Sequence, residues 1–172
     1  ILDVKNLDFS YGSSQILFNV SVKAKKGSIT CLMGSNGVGK TSLLKFLSGS
    51  NNAVNGKYLY KNQNVFNLPS HKLAQLGISY VPQTHNIFPN LTVYESIKLA
   101  LLSKKNGLNN MWTRFKDHKV NSDADDIMKL AGLIKSKNTV SSELIHGDQK
   151  ILDIALALCL KPNLLLIISA IR

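Results

Sequence analysis

Gly34-Ser35-Asn36-Gly37-Val38-Gly39-Lys40-Thr41 decides how this chain folds. Two glycines with four residues between them, then lysine and a hydroxyl residue, make the phosphate-loop pattern. An apolar run, Ile29 to Met33, precedes it, and a leucine pattern typical of a helix runs from Lys40 to Leu47. The context is therefore strand, glycine loop, helix. Glycine lets the backbone turn and brings N–H groups against phosphate oxygens. The following helix turns its positive end to the same anion. In such a loop Lys40 can bridge β- and γ-phosphates, and the Thr41 hydroxyl can ligate Mg²⁺. A flexible glycine turn ahead of a helix is the plain alternative, and the full pattern in this context outweighs it.

Outward from the loop, the chain alternates strands and helices. Leu2, Val4 and Leu7 mark one strand, and Ile16, Phe18, Val20 and Val22 a second. Ser28 to Met33 reads as a compact apolar strand. Tyr58 to Tyr60 reads as a strand, Pro69 to Leu76 as a short helix opening on proline, and Ile78 to Val81 as a strand closed by Pro82. Leu91 to Leu102 is helical, with Thr92 as N-cap and Glu95 at the third helical position, a capping box. Residues 104–121 are polar without a clean period and read as a loop or weak helix. Asp123 to Ala131 reads as a helix with acidic residues in its first turn. Gly147 to Leu160 reads as another helix, and Leu164 to Ile168 as a fully buried strand.

With 172 residues, 44% of them apolar, the chain can bury a sizeable core, and one domain is the expectation. That excludes a disordered tail, a collagen-like repeat and a disulfide-stapled miniprotein. Ile151 to Ile171 is the nearest approach to a membrane span, and Asp153, Lys161, Pro162 and Asn163 interrupt it. Cys31 and Cys159 lie among apolar residues and read as reduced core cysteines, which suits a reducing compartment. The chain opens at Ile1 inside an alternating run and stops at Arg172 after a strand-like run, so both ends read as cut. The net charge of +11 is spread in small clusters with no aromatic-and-basic pattern, so nucleic acid is not expected as a partner.

The phosphate loop together with four further features resembles the ATP-binding subunit, or nucleotide-binding domain, of ABC transporters, across nearly the whole chain. Tyr11, in Ser10-Tyr11-Gly12, matches the aromatic residue that stacks on adenine, with Ile16 packing nearby. Gln83, in Tyr80-Val81-Pro82-Gln83, matches the Q-loop glutamine that ligates Mg²⁺ or orients water. Leu144-Ile145-His146-Gly147-Asp148-Gln149 resembles the signature that meets ATP held by the opposite subunit. Leu164 to Ile167 resembles the apolar half of a Walker B strand. The resemblance makes Tyr11, Ile16, Gly34, Ser35, Asn36, Gly37, Val38, Gly39, Lys40, Thr41, Ser42 and Gln83 the nucleotide contacts. Thr41 and Gln83 are the Mg²⁺ contacts, and Leu144, His146, Gly147, Asp148 and Gln149 the contacts to the opposite subunit's ATP.

The sequence departs from the family in two places. Ile145 stands where the signature serine is usual, removing a donor whose loss costs roughly a hundred- to thousandfold in rate by analogy. After Ile167 the family has Asp, Glu, Pro, and this chain has Ile168, Ser169, Ala170. The switch histidine of the family lies beyond Arg172. A general-base step is worth about a hundred- to ten-thousandfold, so little hydrolysis is expected.

The implied fold is α/β, a P-loop NTPase with a RecA-like core, an antiparallel β subdomain and a helical signature subdomain, incomplete at its C-terminus. The core would take residues 1–83 and 161–172, and the helical subdomain 84–160. The implied cofactors are ATP and Mg²⁺. The implied partners are a second nucleotide-binding subunit and integral membrane permease subunits, with the protein peripheral on the cytoplasmic face of the inner or plasma membrane. Leu76 to Gln83, Ile87 to Val93, His146 to Gln149 and Ile154 to Leu158 are closest in flavour to importers of branched-chain amino acids. Urea or amide import, lipopolysaccharide export, and a hydrolysis-deficient ATP-binding fragment or remnant stay open as alternatives. His71, His85 and His118 have no metal-ligand spacing and read as surface. Trp112 and Phe115 read as local packing within the polar insertion.

Overall fold

The computed structural model describes residues 1–103 and 118–168, and Trp112 and Phe115 lie outside them. The chain divides into two compact units, Ile1–Ser79 and Tyr80–Arg172.

In the first unit, strand β1 (Leu2–Tyr11) pairs antiparallel with β2 (Ser14–Ala24) and with β3 (Asn55–Tyr60), and β3 with the short β4 (Gln63–Asn64), giving the order β2-β1-β3-β4. A two-residue link, Gly12-Ser13, joins Tyr11 to its partner Ser14, and Gly12 has the left-handed φ of 58° such a turn needs. Leu2, Val4, Leu7 and Phe9 are buried, the buried parity changing across the register shift between Val4 and Leu7, where Asn6 has a left-handed φ of 51°. Helix α1 (Lys40–Leu47) buries Leu43, Phe46 and Leu47. Phe46 rests on Tyr58 and Phe66 with ring centroids 5.6 and 5.8 Å apart. The buried Tyr58 hydroxyl donates to the Leu47 carbonyl at 3.0 Å, and burial pushes its pKa well above the usual phenol value. Helix α2 (Ser70–Gln75) starts at Pro69, which caps it in extended conformation as the proline predicts.

Ser28 to Met33 does not form the expected strand: the segment is irregular, with Ile29 99% and Met33 86% exposed. Apolar composition proposes a buried strand, yet a strand also needs edges to pair with. Neither sheet among the described residues takes this segment. Cys31 lies in it and is exposed, so it is not a core cysteine; Cys159 is buried as expected.

In the second unit, strand β5 (Ile78–Val81), which begins at the unit boundary, forms a two-stranded sheet with β6 (Leu164–Ile167), and the Ile168 N–H donates to the Val81 carbonyl at 3.0 Å. β6 is only partly buried, with Ile167 39% exposed, which corrects the fully buried strand read from its leucines. Helices α3 (Val93–Ser103), α4 (His118–Ala131) and α5 (His146–Cys159) enclose a core of Val93, Ile97, Ala124, Met128, Leu133, Leu144, Leu152 and Cys159. The capping box at α3 is formed as expected. The Thr92 N–H donates to Glu95 Oε2 at 2.9 Å, and the Glu95 N–H to Thr92 Oγ1 at 3.2 Å. These bonds hold the Glu95 carboxyl below its usual pKa. α4 is already helical at His118, so Asp123 does not open it; the acidic residues sit more than a turn inside.

Candidate functional site

The residues expected to meet nucleotide fall in both units. In the first, they gather around the head of α1. Gly39 is the N-cap, with a left-handed φ of 94°, and no side chain caps the helix. The first turn carries no acidic residue. The first N–H groups of a helix have no intrahelical acceptor, so this end offers unneutralised donors and the positive pole of the helix.

Two glycines of the loop are required by geometry. Gly37 has φ 82°, and a Cβ there would meet only open space, so conformation alone selects glycine. A Cβ on Gly39 would lie 2.6 Å from Leu17 Cδ2 and 3.3 Å from Ile16 Cγ2, so packing selects it as well. Ile16 thus abuts the base of the loop. Leu17, beside it, was not among the sequence candidates; it is simply the buried alternate of β2.

Lys40 Nζ curls over the loop and donates to the Gly34 and Ser35 carbonyls at 2.7 Å each. The ammonium is held over the loop by neutral acceptors, which phosphate oxygens can replace with stronger, charge-assisted bonds. Ser35, Asn36, Val38 and Thr41 are exposed around it, and Ser42 is half-buried. Tyr11 stands at the end of β1, exposed on one side, with its edge against Phe9 at 4.8 Å. Its hydroxyl accepts from Asn51 Nδ2 at 2.8 Å, which fixes the ring's direction.

The open loop, the bare helix head and the poised ammonium fit a nucleotide's phosphates. For Mg²⁺ the loop offers a neutral donor, the Thr41 hydroxyl. No group of three or more His, Cys, Asp or Glu able to hold a metal occurs among the described residues. Mg²⁺ binds carboxylates and phosphates and keeps several waters, so the ion fits here as a guest of the nucleotide.

In the second unit, Gln83 is exposed just beyond β5. Ile145 is the N-cap of α5, in extended conformation and 72% exposed, and its side chain offers no capping oxygen. Leu144 is buried beneath it, His146 and Gly147 begin the helix, and Asp148 sits in its first turn. Gln149 turns back, its amide donating to the Ser141 and Ser142 carbonyls at 3.4 and 3.3 Å. That places Gln149 as a brace of the segment ahead of the helix.

Three residues here escaped the sequence reading. His85 is on the surface as read, and it is partnered there. Its Nδ1 lies 3.4 Å from Asp153 Oδ2, and its ring stacks on His146 with centroids 5.6 Å apart and planes 14° apart. The Asp153 side chain is 3% exposed, and its Oδ1 accepts the Asn86 N–H at 2.9 Å. Lys150, one turn earlier, donates to the Pro82 carbonyl. A charge inside the apolar run of α5 was the available signal, and it read as an interruption.

A family model described as ABC transporter matches residues 17–167. The chain is 34% identical over 167 residues to a probable branched-chain amino acid transport ATP-binding protein, LivF, of Archaeoglobus fulgidus, covering 97% of this chain and 66% of the relative. It is 31% identical to the lipopolysaccharide export system ATP-binding protein LptB of Haemophilus influenzae, with the same two coverages of 97% and 66%. Among solved structures, it is similar to a dimeric post-hydrolysis state of an ATP-binding cassette bound to ADP and Pi. That likeness has a TM-score of 0.80 and 26% identity, and covers 97% of this chain and 73% of that one. The chain thus spans about two thirds of the length of these curated relatives.

Proposed function

Because the chain belongs to the ABC transporter family, among its ATP-binding cassettes, we propose that it binds ATP through the loop Gly34–Ser42. Lys40 lies on the β- and γ-phosphates, the helix head of α1 on the phosphate oxygens, and Tyr11 and Ile16 beside the base. The observation that carries this is the loop itself. Its glycines hold left-handed backbone, and its lysine is poised over the loop at an uncapped helix head free of acidic neighbours. Thr41 and Gln83 are the residues that would hold nucleotide-borne Mg²⁺, which supplies charge neutralisation of the phosphates. His146, Gly147 and Asp148 would face ATP held by a second cassette; Leu144 is buried and the Gln149 amide is turned onto the Ser141 and Ser142 carbonyls, so these two would support the segment from behind. The functional division runs as a core of about 1–83 with 161–172 and a helical part of about 84–160.

Turnover is a separate matter. In sequence, β6 is followed by Ile168, Ser169 and Ala170, where the sequence of a hydrolytic cassette carries its carboxylates. Ile168 is a buried apolar residue that can neither anchor Mg²⁺ nor accept a proton from water. The reading is therefore an ATP-binding cassette with little hydrolysis of its own.

Its setting would be a pair of cassettes beneath integral membrane permease subunits, on the cytoplasmic face. No helix among the described residues is long and apolar enough to cross a membrane, which suits a peripheral subunit. Import of branched-chain amino acids is the transport reading best supported, by the relative of that name and by the residues that share its flavour; lipopolysaccharide export is the second.

Calorimetric titration with ATP and Mg²⁺ tests the binding claim. Lys40→Ala removes charge-assisted bonds worth about 1.5–3 kcal/mol, so affinity is expected to fall roughly 10- to 150-fold. Binding that is unchanged by Lys40→Ala refutes the site. Phosphate release at a rate ordinary for cassettes refutes the turnover claim and leaves the binding claim standing.

A further inference from the structure

We propose that Lys150 and Asp153 fasten the segment Pro82–Asn86 to α5, making them positioning residues for Gln83. The proposal rests on the reading above that Gln83 serves bound nucleotide.

Lys150 and Asp153 are three residues apart on α5 and share one helix face. They grip the segment at both ends: Lys150 Nζ holds the Pro82 carbonyl, and Asp153 Oδ1 holds the Asn86 N–H at 2.9 Å. Gln83 lies between the two holds. His85 adds a third, its ring lying between the Asp153 carboxylate and the His146 ring. The segment is thereby tied to the middle of α5 and to its first residue.

The contact is not incidental to the surface. A buried carboxylate is costly unless its oxygens find partners, and an apolar residue at position 153 would pack α5 without that cost. Asp153 is 5% exposed, and its Oδ2 makes no hydrogen bond. The partner it does hydrogen-bond is a backbone N–H of the segment, 67 residues away in sequence. What the carboxylate obtains is a fixed path for the chain through Asn86. Since Ile145 to Gln149 begin the same helix, any movement of α5 carries Gln83 with it.

The test uses the full chain with Asp153→Ala, Asp153→Asn and Lys150→Met, and Gln83→Ala as reference. Amide exchange at Asn86 is measured without nucleotide. In Asp153→Ala it is expected to quicken roughly 10- to 150-fold, the loss of one hydrogen bond to a charged acceptor. Asp153→Asn, which keeps an acceptor oxygen, is expected to stay near the parent rate. The ratio of ATP affinity with Mg²⁺ to that in EDTA is then compared. Gln83→Ala, Asp153→Ala and Lys150→Met are expected to lower this ratio, with ATP affinity in EDTA unchanged in the latter two, and Asp153→Asn to preserve it.

A purely structural role would instead lower affinity in both conditions equally, and that overturns the proposal. So does parental exchange at Asn86 in Asp153→Ala, or fast exchange with a parental ratio. If Asp153→Ala does not fold, the ratio in Lys150→Met decides. A chain that binds no ATP at all brings down the nucleotide reading and the positioning role with it, and the exchange rate alone then decides whether the segment is fastened.

Discussion

Ile145 occupies an N-cap with backbone suited to a capping residue, φ −63° and ψ 152°, and contributes no capping oxygen. Ile145→Ser would supply one to the N–H of Gly147 or Asp148, the second and third helical positions. Asp148 at the third position completes an acidic first turn, which favours the helix further. A good N-cap exceeds alanine by about 0.5–2 kcal/mol. Isoleucine also buries a minor part of its side chain at 72% exposure, and losing that part offsets the gain. The comparison that isolates the cap is therefore Ile145→Ser against Ile145→Ala, since both lose the apolar group and only one adds a hydroxyl. At about 1 kcal/mol, the serine variant should melt roughly 2–4 °C above the alanine variant for a chain of this size. Thermal denaturation followed by circular dichroism reads the difference. Equal melting temperatures would refute the reasoning, because the hydroxyl would then be finding no helix donor.

Four further outcomes follow from the packing. Gly49→Ala should cost several kcal/mol by analogy with other strained and overpacked sites; the φ there is 73° and a Cβ would lie 2.6 Å from the Leu68 carbonyl oxygen. A urea midpoint close to the parent's would contradict it. The Cys159 thiol is pushed up to about 12 by burial, so a disulfide reagent at pH 8 should titrate exposed Cys31 quickly and Cys159 only on unfolding. Since folding raises that pKa above its ordinary value, its contribution to stability is complete below pH 9 and is lost as pH climbs toward 12; a stability profile rising over that window would be the wrong sign. Ile168→Asp puts a carboxylate into a buried position beside β6 and should destabilise the nucleotide-free chain by several kcal/mol, with Mg²⁺ and ATP recovering part of the loss. An equal loss with and without the ligand would separate position 168 from the metal.

What the sequence made legible was what neighbouring residues settle among themselves. α1 spans Lys40–Leu47 as read, because the loop's glycines and the leucine spacing are local signals. The Thr92–Glu95 box is likewise local, three residues reaching across one turn. Ser28–Met33 fails for the opposite reason: its apolar pattern needs strand neighbours, and pairing is decided elsewhere in the chain. The Asp153–Asn86 bond is similarly non-local, and an aspartate inside an apolar helix marks only that some partner exists. His85 is exposed as read, and only its neighbours, a buried carboxylate and a second ring distant in sequence, were out of reach of a local reading.

The two departures from a hydrolytic cassette are unequal in kind, and this orders how they act. Ile145 affects a donor that would stabilise charge in transit, worth roughly a hundred- to thousandfold. On the proposed reading, Ile168 and Ser169 stand in sequence where a hydrolytic cassette has the groups that hold the metal and take the water's proton, and the proton step alone is worth about a hundred- to ten-thousandfold. Groups that act together do not contribute independently, and removing one member of a catalytic unit can cost nearly as much as removing all. Ile145→Ser by itself should therefore alter the stability of α5 while leaving phosphate release near background. The loop at Gly34–Thr41 depends on none of these residues for its backbone form, since Gly37 and Gly39 hold it through their own φ and the packing of Leu17. On the proposed reading, nucleotide capture can thus persist where turnover is lost.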